Sequence, residues 1–76
     1  MKDLLEFLTR ALVEDPGAVE VEEFDEEGDL VYEISVADDD LGRVIGKGGR
    51  VANALRTVAK AAAVKLERRV IVDILD

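Results

Sequence analysis

The stretch Gly42-Arg43-Val44-Ile45-Gly46-Lys47-Gly48-Gly49-Arg50 packs four glycines and three cations into nine positions. Glycine inside a helix or strand is destabilising by roughly 0.5–1 kcal/mol relative to alanine. A run of glycines beside a helix therefore needs a reason. Glycine turns the chain sharply and lets a bulky ligand approach the backbone. A helix that begins at the run offers unpaired N–H groups and a positive dipole end, which suits an anion. Lys47 adds a full charge at the tip, with Arg43 and Arg50 beside it. A phosphodiester is the natural guest.

The neighbours of this stretch set its context. Ahead of it, Asp38-Asp39-Asp40 reads as a cap for a short helix from about Asp40 to Ile45. Behind it, a long helix runs from Arg50 to about Glu67. Its apolar stripe is Val51, Leu55, Val58, Ala62 and Leu66. Further upstream, Leu4, Leu5, Phe7, Leu8, Ala11 and Leu12 space out a helix from Asp3 to Val13. Asp3 is its expected N-cap and Pro16-Gly17 its stop. Ala18 to Phe24 alternates as a strand, with a slip at Glu23-Phe24 that suggests a bulge or a strand end. Glu26-Glu27-Gly28-Asp29 is a turn, and Leu30, Tyr32, Ile34 and Val36 mark a second strand, completing a hairpin. Val70 to Leu75 is a third strand. The order α-β-β-α-α-β joins the last two strands by a helical crossover, which makes them parallel. The expected fold is α+β, a three-stranded mixed sheet with three helices on one face.

Composition bounds the function. Seventy-six residues make one small domain, 1–76, and 49% apolar residues suffice for a core. Cys and His are both absent. That removes disulfides, thiolate metal sites and the usual general base. No metal, no cofactor and no catalysis is expected. There is no GxxxxGK[ST] phosphate loop, and helix capping accounts for Asp38-Asp39-Asp40 better than Mg²⁺ does. No export signal or membrane span is visible, so the chain reads as cytoplasmic. The net charge of −8 argues against a nucleic-acid partner, but its distribution does not. Residues 1–40 carry −13 and residues 41–76 carry +5, which hints at a polyanion site on one face.

The bare Gly-x-x-Gly pattern is weak, since at about 7% glycine it arises by chance in roughly a third of chains this long. In its context, Gly42 to Arg50 closely resembles the core of a KH domain with its (V/I)IGxxG signature. The element order is that of the prokaryotic type II arrangement. The whole chain is similar to the small bacterial stand-alone KH proteins of the KhpA (YlqC) family.

The resemblance implies single-stranded RNA binding, in the role of an RNA chaperone or post-transcriptional regulator. The loop of such domains clamps about four nucleotides by their backbone. Carried over by position, Gly46, Lys47, Gly48 and Gly49 hold phosphates. Val44 and Ile45 form the apolar floor under the bases, Arg43 and Arg50 flank the groove, and Asn53 and Arg56 reach in from the following helix. Lys60, Lys65, Arg68 and Arg69 read as solvated charges. The resemblance also implies pairing, as a homodimer or with a second KH protein (KhpB, also called Jag). The alternative reading is an interaction or dimerisation module of the same fold with little RNA binding. With Gly48 at the second variable position, the loop offers one charge where others offer two.

Overall fold

The computed structural model describes residues 1–75; the expected domain end at Asp76 lies outside them. The helices are α1 (Lys2–Leu12), α2 (Leu41–Ile45) and α3 (Arg50–Ala63), and the strands are β1 (Glu20–Glu26), β2 (Asp29–Ser35) and β3 (Val70–Ile74). Single 3₁₀ turns occupy Pro16–Ala18, Asp38–Asp40, Lys47–Gly49 and Val64–Leu66. The sheet order is β1-β2-β3, with β1 antiparallel and β3 parallel to β2. This is the α+β, type II KH architecture expected from the element order.

Helix α1 begins one residue earlier than its apolar spacing suggests. The Leu5 N–H donates to the Met1 carbonyl, so Met1 takes the N-cap position and Asp3 falls in the first turn. There its charge favours the helix dipole without capping. Leu5 and Thr9 are the buried positions of α1, and the Thr9 hydroxyl donates to the Leu5 carbonyl at 2.7 Å. That bond satisfies a hydroxyl with no access to water.

The hairpin turns on Glu27 and Gly28, both at positive φ (53° and 92°), the pattern of a two-residue type I′ turn. The expected bulge at Glu23-Phe24 does not occur, because pairing is unbroken from Glu20↔Ser35 to Glu26↔Asp29. The apolar alternation slips while the pleat does not. Glu23 shares the helix-facing side with its partner Tyr32, whose hydroxyl donates to the Glu23 carboxylate at 2.8 Å. Phe24 falls on the opposite side.

The core lies between one sheet face and the helices, with Val21, Tyr32, Ile34 and Val72 meeting Leu5, Ala59 and Ala63. Helix α3 presents Ala52, Leu55, Ala59 and Ala63 to the core, a face rotated from the expected stripe. Only Leu55 is shared, and Val58 and Leu66 are 39% and 50% exposed. Pattern reading favours the largest side chains. Here the small ones face inward, which lets the helix backbone lie close to the sheet. The helix also ends at Ala63 rather than Glu67. A 3₁₀ turn and a left-handed Glu67 (φ 52°) then lead the chain into β3.

The three aspartates before α2 do not cap it, since neither α2 nor the 3₁₀ turn ahead of it has a side-chain cap bond. Asp40 is instead buried at 2% exposure. Its two carboxylate oxygens accept the backbone N–H groups of Glu14 and Asp15, each at 3.0 Å. Those donors lie just past the end of α1 and have no backbone acceptor among the described residues. Asp40 therefore ties the end of α1 to the start of α2.

Candidate nucleic-acid interface

The glycine loop joins α2 to α3 through three glycines at positive φ: Gly46 (76°), Gly48 (65°) and Gly49 (80°). A side chain at Gly46 would strike Val51 in the first turn of α3. Gly48 has nothing within 4 Å of where a Cβ would be, so the loop tip is open to an approaching ligand. Lys47 stands on that tip without an ion-pair partner among the described residues. The 14-residue α3 starts at Arg50 with no side-chain cap; the Arg50 N–H donates to the Lys47 carbonyl, and the positive end of the helix dipole lies beside the tip.

The other candidate residues surround this loop. Val44 is fully buried, while its neighbour Ile45 is 37% exposed, so Ile45 alone of the two presents surface. Arg43 is not free: it pairs with Glu14 at 2.6 Å and lies 3.7 Å from Asp40. Arg50 is exposed and has no ion-pair partner among the described residues. Asn53 is exposed and accepts a hydrogen bond from the Arg56 guanidinium at 3.1 Å. The Arg56 Nε also donates to the Val72 carbonyl at 3.2 Å, fixing that side chain across to β3.

That last bond marks a feature that the residue pattern does not reveal. Strand β3 pairs only with β2, so its other edge is free among the described residues. Between this edge and α3 runs an open groove of about 560 Å³, walled by Arg56, Lys60 and Arg69 and by Val70 to Asp73. The parallel crossover, read further, leaves β3 at a sheet edge and is the signal that points to it. Lys60 and Arg69 thus belong to the groove rather than to a plain solvated face. Arg68 braces the fold. Its Nε donates to the Gly28 carbonyl at 2.8 Å and its guanidinium pairs with Asp25, stapling the segment that leads into β3 to the hairpin turn. Gly42 is a further position of interest. It sits in α2 with a helical backbone and nothing within 4 Å of a Cβ, so the fold does not require glycine there.

The cations of the loop and groove lie on the helix side, together with the carboxylates of Glu23, Asp25 and Glu67. Glu20, Glu22, Glu26, Asp29, Glu33 and Asp73 alternate onto the other face, opposite in pleat to the core-facing Val21, Tyr32, Ile34 and Val72.

The family model described as KhpA/KhpB, KH domain, matches residues 2–74. The chain belongs to the KhpA/KhpB KH-domain family. The RNA-binding protein KhpA of Clostridium acetobutylicum is 51% identical over 75 residues, covering 99% of this chain and 100% of that protein. The protein of the same name from Halalkalibacterium halodurans is 53% identical over 76 residues, covering both chains fully. That from Aquifex aeolicus is 41% identical over 76 residues, covering 100% of this chain and 96% of its own. The KhpA/KhpB family is non-enzymatic. Among the described residues, no helix is long and apolar enough to cross a membrane.

Proposed function

We propose that this chain, folded as one KH domain over residues 1–76, binds single-stranded RNA and clamps about four nucleotides by their backbone. The observation that carries the reading is the open tip at Lys47 and Gly48, set against the uncapped start of α3 and beside the basic groove along β3. Gly46, Lys47, Gly48 and Gly49 hold the phosphates. Ile45 and the bare backbone at Gly42 floor the bases, with Val44 supporting that floor from the core. Arg50 and Asn53 stand at the clamp, and Arg56, Lys60 and Arg69 continue it along the groove. Arg43 joins the rim when a phosphate draws it from Glu14. The protein acts in the cytoplasm as an RNA chaperone or post-transcriptional regulator.

One such domain contacts few nucleotides, and a second linked domain raises avidity without new contacts. Pairing with another copy, or with a second KH protein of the KhpB kind, belongs to the same proposal. The exposed Leu12 and Val58, on α1 and α3, are side chains such a contact would cover.

The reading is tested by titrating a labelled oligoribonucleotide, alone and annealed to its complement. The single strand binds more tightly, because the groove takes unstacked bases. Equal affinity for the duplex reduces the interaction to charge attraction.

A further inference from the structure

The sheet has a second face over which no helix packs among the described residues. The strand register sorts its side chains into rows. Phe24, Val31 and Ile71 are paired directly across all three strands. Glu22, Glu33 and Asp73 form the next row, and Glu26 opposes Asp29 on the other side of the apolar row. Phe24 is 39% exposed, and Val31 lies beneath its neighbours at 5%. Like charges directly opposite one another destabilise a sheet. None of these carboxylates has an ion-pair partner among the described residues. The fold thus keeps an apolar stripe between two bands of opposed negative charge, a local conflict of the kind that marks functional surfaces.

The charge decides what can cover this face. Nucleic acid and anionic membranes are repelled. Two copies stacked sheet to sheet would set carboxylate against carboxylate. Among the described residues no cluster of acidic groups is placed to hold a metal ion, so a bare cation does not answer either. We propose that the open sheet face docks a basic protein segment in extended conformation, with the pattern Lys/Arg-x-apolar-x-Lys/Arg. Alternate residues of an extended chain are about 7 Å apart, the same as successive rows of the sheet. The central apolar side chain then lies on Phe24 and Ile71. The flanking cations reach the Glu22–Glu33–Asp73 row and the Glu26–Asp29 pair. Ile71 and Asp73, on the edge strand, also border the groove on the helix side, so Glu22, Phe24, Val31 and Glu33 are the contacts particular to this face.

The test is an NMR titration of the full chain with an acetylated and amidated peptide, Gly-Lys-Ser-Leu-Ser-Lys-Gly. Saturable amide shifts should appear at Glu22, Phe24, Val31, Ile71 and Asp73. The variant Glu22→Gln/Glu33→Gln/Asp73→Asn relieves opposed charges, so it melts no lower than wild type. It should bind the peptide about tenfold more weakly, the scale expected for losing a few exposed ion pairs. A peptide with Leu replaced by Asn should also bind more weakly. The proposal is overturned if the wild type gives no saturable shifts, if the variant binds equally well, or if the shifts map to α3 and the glycine loop and leave Glu22, Phe24 and Val31 unmoved. It is equally overturned if the same amides shift with protein concentration alone, because the occupant would then be a second copy.

Discussion

Gly46 and Val51 approach so closely that a Cβ on the glycine would stand 2.5 Å from Val51 Cγ2 and 2.8 Å from the Val51 nitrogen. The backbone atom cannot swing aside, and φ at Gly46 is already 76°. Its ψ of 168° puts it in a region that essentially only glycine visits, so Gly46→Ala should lower stability by about 2–4 kcal/mol, the sum of backbone strain and overpacking. Gly48→Ala meets no atom and should lose only about 1 kcal/mol. Urea denaturation of both variants checks the order. Equal losses would contradict the close approach.

Gly42 should behave in the opposite way. Its backbone is helical and its surroundings are open. Gly42→Ala should raise stability by about 0.5–1 kcal/mol. If the bare backbone receives a base, the same change weakens RNA binding. Thermal melts and RNA titrations of one variant should thus move in opposite directions.

Asp40 holds two backbone donors in a buried site. Asp40→Ala leaves the Glu14 and Asp15 N–H groups unpaired and should lower stability by about 2–3 kcal/mol. Hydrogen exchange should quicken first at those two amides. Asp40→Asn keeps one acceptor and should fall between.

Much of this fold is legible in the residues, and the failures share a cause. The glycine loop, the hairpin and the parallel third strand follow from local spacing and turn chemistry, and the structure bears them out. The core face of α3 escapes pattern reading because Ala59 and Ala63 count for little in a hydrophobic pattern, yet they let the helix approach the sheet. The buried bonds of Asp40 escape it because their donors are 25 and 26 residues away. The positions of Val44 and Ile45 differ by one step on a five-residue helix, too short for periodicity to say which faces the core. The groove along β3 needs the sheet order, which no single segment carries.

Tyr32, the only tyrosine, predicts an alkaline limit. Burial, the hydrogen bond to Glu23 and that carboxylate's charge together push its pKa up from 10.0 to about 12, against the opposing charge of Arg68. Between those values the unfolded chain loses a proton that the folded chain retains. Stability contributed by this group is present below pH 10 and is lost as pH climbs toward about 12. Melting temperature followed against phenolate absorbance tests this, and Tyr32→Phe should shrink the dependence.

The central claim rests on the loop tip. Lys47→Asp/Gly48→Asp places two carboxylates where phosphates would sit, at positions the core does not use. The most direct measurement is the affinity of a labelled single-stranded oligoribonucleotide for wild type and this variant, across a salt series. Wild type should show a shallow slope of log K against log salt, about −2 to −3, as for a few phosphate contacts at about −0.7 each. The variant should keep its helical circular dichroism and lose measurable binding. A folded variant that binds RNA as tightly as wild type, with the same slope, would contradict the clamp.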